Sequence, residues 1–175
     1  MLHHEISGNG KKPLVLLHGF MENTTIWDEM EAHLSKDFTL IKIDLPGHGK
    51  SKVYQEIHTV ELMAEKVKEV IDALKLEKIN LLGHSLGGYV SLAFAEKFPE
   101  ILESMTLFFS TTLADDEEKK AIRKRSIAGI DENFETFVKT SIPNLFSNNE
   151  KDILEGKIEL AKNIAKSTNK EGVKA

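Results

Sequence analysis

Residues Gly83-His84-Ser85-Leu86-Gly87 fit the pattern G-x-S-x-G, inside a run, "INLLGHSLGGYV" (79–90), that passes from an apolar strand-like stretch into a helical one. Glycines at those places permit a strand-to-helix turn so tight that side chains there would clash. Such a turn lifts the Ser85 hydroxyl above a sheet. It also sets the serine at a helix N-terminus, where unpaired amides and the dipole favour developing negative charge. The arrangement suits nucleophilic attack on a carbonyl carbon. A serine hydroxyl is nevertheless a weak nucleophile until a base takes its proton, and the usual base is a histidine oriented by a carboxylate.

No histidine follows Ser85 in this chain; the seven are His3, His4, His18, His33, His48, His58 and His84. His84 adjoins the serine, but at a turn of this kind its side chain points away from Oγ, so it reads as a wall of the site. His18 and His48 fall in two loops beside the turn and read as residues that hold loop geometry by hydrogen bonds. His3, His4, His33 and His58 read as surface residues. Asp115 and Asp116 read as caps or charges for a following helix rather than as the acid that orients a base.

The elements that must position Ser85 are short and apolar. "PLVLL" (13–17), "FTLIKID" (38–44), "INLLG" (79–83) and "SMTLFFS" (104–110) are continuous apolar runs, the pattern of strands buried on both faces. Helical stretches separate them: a short one over 27–34, and one whose Val60, Met63, Val67, Val70, Ile71 and Leu74 recur at three- and four-residue spacing. Alternating strands and helices predict βαβ units and an α/β fold, a doubly wound, mostly parallel sheet with flanking helices. Ligands of such sheets bind beyond the carboxyl ends of the strands, where "HGF", "DLPGHGKS" and "GHSLGG" all fall. From "DDEEKKAIRKR" onward the chain turns helical and reads as a helical cap or lid, with Ile153, Leu154, Ile158, Ala161 and Ala165 as its apolar stripe. The division expected is a core over 1–111 and a cap over 112–175. Thr168-Asn169-Lys170-Glu171 has the form of a capping box with only four residues after it.

Three motifs taken together carry a resemblance. "LVLLHGFMENTTIW", "IDLPGHGKS" and "LLGHSLGGYVSLAFAEKFPE", in that order over residues 13–99, resemble the N-terminal two-thirds of the α/β-hydrolase fold superfamily. The resemblance implies that Ser85 is the nucleophile and that the backbone amides of Phe20 and Leu86 form the oxyanion hole. His18, Gly19 and His84 then line the site. Relatives with an aspartate nucleophile, such as haloalkane dehalogenases and epoxide hydrolases, do not fit, because this position holds serine. The expected reaction is cleavage of small to medium carboxylic esters or thioesters through an acyl-enzyme, with no metal or organic cofactor. A non-catalytic binding module and a C–C hydrolase, perhydrolase or lyase on the same site are the alternatives.

In that family the acid and the histidine come late, after the cap. Their absence predicts that the 175 residues are incomplete, that two C-terminal strands lie beyond them, and that the isolated chain has little activity. "MTLFF" would then be an edge strand with unpaired backbone groups, a site for a C-terminal fragment or for self-association.

Bulk properties set outer bounds. A chain of 175 residues supports one domain that buries roughly two-thirds of its unfolded surface. A net charge of −5 argues against a nucleic-acid partner, which needs a basic face. With no cysteine there is no disulfide and no thiol nucleophile. The polar start "MLHHEISGNGKKP" has no signal-peptide core, and no apolar run approaches the ~20 residues that span a bilayer, so the expected setting is cytoplasmic with no membrane partner.

Overall fold

A computed structural model describes residues 1–175. Five strands, β1 (His4–Ser7), β2 (Lys12–Leu17), β3 (Phe38–Ile43), β4 (Ile79–His84) and β5 (Leu102–Phe108), form one sheet in the order β1-β3-β2-β4-β5. The pairs β2–β3, β2–β4 and β4–β5 are parallel, and β1 alone runs antiparallel, against β3. The apolar runs account for β2 to β5. β1 escapes such a reading because "HEIS" is a polar edge segment, with Ile6 more than half exposed.

Helices cover both faces, and the period of two along β2 divides the core between them. Val15 and Leu17 face one side and pack in a single cluster with Ile41, Ile43 and Leu81 and with the buried face of α2 (Val60–Ala73) and of α3 (Leu86–Lys97). Leu14 and Leu16 face the other, where they meet Leu40 and Trp27, just before α1 (Asp28–Leu34). The buried residues of α2, Met63, Ala64, Val67, Val70 and Ile71, follow the helical spacing of the sequence, and Thr59 caps the helix by accepting the Leu62 N–H at 3.2 Å. The fold is the doubly wound α/β arrangement expected. β5 is an edge strand, as expected of "MTLFF", with Glu103 to Thr106 exposed; it begins at Leu102 and ends at Phe108, ahead of Ser110.

The C-terminal third is helical. α4 (Glu117–Ser141) starts at Asp116, whose carboxylate accepts the Lys119 N–H at 2.8 Å, while Asp115 pairs with Arg123. The helix breaks at Asn133, which has extended backbone and whose side chain restarts it by accepting the Thr136 N–H at 2.9 Å. α5 (Glu155–Ser167) and α6 (Lys170–Lys174) follow. Ile130, Val138, Ile142, Ala165 and Val173 form a second cluster that also takes in Met21. Backbone contact ties α6 to the loop after β3: a Cβ on Gly172 would stand 2.1 Å from the Gly47 oxygen.

Three details differ from the sequence expectation. The cap of α6 is Asn169, whose Oδ1 accepts the N–H groups of Glu171 and Gly172; Thr168 is buried and turns its hydroxyl back to the Ile164 carbonyl of α5. The apolar stripe begins one turn late, because α5 starts at Glu155 and leaves Ile153 84% exposed. His58 is not a surface residue: it is buried, and its Nε2 accepts the N–H groups of Tyr54 at 3.0 Å and Gln55 at 3.3 Å. No helix is long and apolar enough to cross a membrane.

Candidate active site

Ser85 lies between the last residue of β4 and the first of α3, half-buried, with φ +49° and ψ −109°. Left-handed φ in a non-glycine residue is strained and persists only where its surroundings hold it. Here they do. The Ser85 N–H donates to the Phe108 carbonyl at 3.1 Å, and the Ser85 carbonyl accepts from Gly88 N–H at 3.0 Å and from the Ser110 hydroxyl at 2.9 Å. The flanking glycines permit the turn by close approach: a Cβ on Gly83 would stand 2.2 Å from the Gly87 oxygen, and one on Gly87 2.3 Å from the Leu17 oxygen. Strand and helix thus touch backbone to backbone beside the serine. The amide of Leu86, first residue of α3, has no acceptor in a preceding turn, as for any first helical residue.

The loop after β2 runs alongside. His18 is fully buried; Leu45 N–H donates to its Nε2 at 2.9 Å, so the ring proton sits on Nδ1 and is donated to the Gly19 carbonyl at 2.8 Å. Burial, reinforced by His48, pushes its pKa down to about 3. A neutral ring with both nitrogens engaged holds the loop and has no lone pair to offer a proton. Phe20 follows, 39% exposed, and Met21 has φ +57° with its side chain buried in the second cluster.

The loop after β3 is organised by Asp44. Its buried carboxylate accepts the N–H groups of Thr24 at 2.8 Å and Lys50 at 2.9 Å, and Gly49, at φ +51°, brings the chain so close that a Cβ there would stand 2.3 Å from it. His48 is buried, donates from Nδ1 to the Pro46 carbonyl at 3.0 Å, and its ring lies 5.3 Å from that of His18. Burial lowers its pKa. "DLPGHGKS" therefore holds the loop rather than supplying reacting groups.

The structure brings His18, Gly19, Phe20, His84, Ser85 and Leu86 to the same end of neighbouring strands β2 and β4. It places Asp115 and Asp116 at the start of α4, engaged with Arg123 and the helix amides. None of the hydrogen bonds made by the histidine rings goes to the Ser85 hydroxyl. No group of three or more histidine or carboxylate side chains is arranged to hold a metal ion. Glu22 was not singled out by sequence reasoning: its Oε2 accepts the Gly19 N–H at 2.6 Å and lies 2.8 Å from His84 Nδ1. An acidic residue three positions after Gly19, within a loop otherwise apolar or uncharged up to Trp27, is the only signal in the sequence that could have marked it.

Comparison with known proteins shows where else this fold occurs. A thermophilic esterase from Thermogutta terrifontis superposes with a TM-score of 0.91 and 32% identity, over 99% of this chain and 64% of that one. The enol-lactonase of Burkholderia xenovorans shares the fold, with a TM-score of 0.90 at 24% identity over 99% of this chain and 67% of that one. A serine hydrolase-like protein of Mus musculus is 35% identical over 130 residues, 70% of this chain and 42% of its own length. An uncharacterized protein of Mycobacterium tuberculosis is 35% identical over 102 residues, 58% of this chain and 30% of its own. The chain thus spans about two-thirds of these two solved structures and less than half of these two curated relatives. The family model for the alpha/beta hydrolase fold matches residues 12–152, from β2 through the serine turn into the C-terminal helices, and the chain belongs to that family.

Proposed function

We propose that these residues carry the nucleophile and oxyanion donors of a serine hydrolase that cleaves small to medium carboxylic esters or thioesters. The observation that carries this reading is Ser85 itself, half-buried and held at φ +49° between a strand end and a helix N-terminus. In the cycle, Ser85 Oγ adds to the acyl carbon while a base takes its proton. The C–O or C–S bond to the leaving group breaks as that group takes up the proton, and water then hydrolyses the acyl-enzyme and restores Ser85. The Phe20 and Leu86 amides hold the oxyanion, at about 3 kcal/mol each in the transition state. His18, Gly19 and His84 line the site, and the chemistry calls for no metal or organic cofactor. The base and its acid come from polypeptide outside residues 1–175, so these residues alone retain only what oxyanion stabilisation and binding supply. Residues 1–111 are the core and the helices over 112–175 a cap that shapes the acyl pocket. Support comes from the 32% identity to the Thermogutta esterase.

One observation favours a second reading, a binding module without turnover: none of the hydrogen bonds of the histidine rings in residues 1–175 goes to the Ser85 hydroxyl. The two separate by intact mass after incubation with a fluorophosphonate, on the full-length polypeptide and on residues 1–175. A hydrolase gains one phosphonyl group at Ser85 in the full-length protein, slowly or not at all in the shorter chain, and Ser85→Ala abolishes it. A full-length protein that binds an ester saturably, takes up no label and is indifferent to Ser85→Ala is a binding module.

A further inference from the structure

We infer that Glu22 is a positioning residue that sets the oxyanion loop against the serine turn; the inference rests on the assignment of Ser85, Phe20 and Leu86 just made. Within the loop, Glu22 holds Gly19 at both ends. Its N–H donates to the Gly19 carbonyl at 3.3 Å, and its Oε2 accepts the Gly19 N–H at 2.6 Å. The Gly19 carbonyl also takes the His18 Nδ1–H. A trans peptide is a rigid plane whose C=O and N–H point in opposite directions. Two donors that fix the Gly19 oxygen therefore fix the direction of the Phe20 N–H, which belongs to the same peptide.

The same Oε2 reaches His84 Nδ1 at 2.8 Å, and His84 is the residue immediately before Ser85. One carboxylate oxygen thus spans from the His18–Gly19 peptide, adjacent to the one that bears the first oxyanion donor, to the strand end that leads into the second. Gly19 makes room for it: a Cβ there would stand 2.7 Å from Glu22 Oε2 and 3.0 Å from His84 Nδ1. The strained φ of +57° at Met21, between Phe20 and Glu22, is held from the other side by burial of the Met21 side chain. The His84 ring is set edge-on to Trp27, with centroids 6.5 Å apart, so the far end of the bridge is packed as well.

A negative charge this close to a developing oxyanion opposes it, so the acceptor geometry rather than the charge is what the site uses. A glutamine offers one carbonyl oxygen to the same two donors. The experiment compares Glu22→Ala and Glu22→Gln with the parental full-length polypeptide by two readouts: the fluorophosphonate rate constant separated from its half-saturating concentration, and amide exchange at Gly19 and Phe20 by NMR. The expected result for Glu22→Ala is a labelling rate constant roughly 10- to 100-fold lower at a half-saturating concentration within threefold of parental, and Gly19 exchange at least tenfold faster. Glu22→Gln recovers most of both. A Glu22→Ala protein that labels and exchanges as the parent does, or a Glu22→Gln protein as impaired as Glu22→Ala, overturns the inference. A parental protein that takes up no label overturns the hydrolase reading instead. The exchange readout then still decides whether Glu22 fixes the loop: unchanged exchange rejects it, and faster exchange rescued by glutamine supports it.

Discussion

The Ser110 hydroxyl donates to the Ser85 carbonyl at 2.9 Å, so the chain leaving β5 holds the peptide that follows the candidate nucleophile. The peptide before it is held by the same segment, through Phe108. Strand β5 is thereby part of the site although none of its residues is a candidate for the chemistry. Ser110→Ala removes one of these ties. Because Gly88 N–H still bonds the Ser85 carbonyl, no acceptor is orphaned, and the expected stability loss is about 0.5–1.5 kcal/mol, a few degrees in Tm. Relaxation of the strained turn should slow fluorophosphonate labelling several-fold beyond that. Labelling at the parental rate would mean that Phe108 and the glycines hold the turn unaided.

Two glycine-to-alanine changes are expected to have opposite signs. At Gly83 a Cβ would stand 2.2 Å from the Gly87 oxygen and 2.4 Å from Ser91 Oγ, both in the buried contact between β4 and α3. Backbone cannot yield there without moving Ser85, so Gly83→Ala should cost more than about 3 kcal/mol and abolish labelling. At Gly156, in the first turn of α5, a Cβ meets nothing within 4 Å. Gly156→Ala should therefore leave labelling alone and stabilise by up to about 1 kcal/mol through lower unfolded-state entropy. Urea midpoints of the two variants check both signs, and a tolerated Gly83→Ala would show that strand and helix are less tightly apposed than their backbone distances indicate.

The contrast between these glycines also shows what was legible before the structure. β2, β3, β4 and the buried face of α2 announce themselves because each is a local pattern: a continuous apolar run, or apolar residues at helical spacing. The serine turn does so because its glycines and its flanking elements lie within a dozen residues. β1 and Glu22 do not. β1 is polar and exists by pairing with β3, more than thirty residues later. Glu22 matters through His84, 62 residues away, and a single sequence carries no sign of that pairing. His58 was misjudged for a similar reason, since the fold wraps residues 54 and 55 around its ring. Asn169 displaced Thr168 as a cap because Thr168 is buried against the end of α5.

Acid sensitivity should be set by buried histidines before any carboxylate acts. Burial holds His18 down to about pKa 3 and lowers His48 and His58 below the ordinary value of 6.5. Above pH 6.5 these rings are neutral in both folded and unfolded chains, so their contribution to stability is complete. As pH falls below 6.5 the unfolded chain takes up protons that the folded one refuses, and stability drops. The slope approaches about 1.4 kcal/mol per pH unit for each ring still neutral in the folded state, and for His18 it continues toward pH 3. The ion-paired carboxylates with lowered pKa, such as Glu31 and Asp115, push in the same direction only below about pH 4.5, so the interval from 6.5 to 4.5 isolates the histidines. Urea midpoints at constant ionic strength should change little from pH 7.5 to 6.5 and then fall. His18→Gln, which cannot titrate, should flatten the fall by one ring's share while losing some stability at neutral pH from the bonds to Leu45 and Gly19. A profile level down to pH 4.5 would mean that the loops carrying His18 and His48 open to water and let the rings protonate in place. The hold of His18 Nδ1–H on the Gly19 carbonyl, which helps to fix the direction of the Phe20 N–H, would then fail with it.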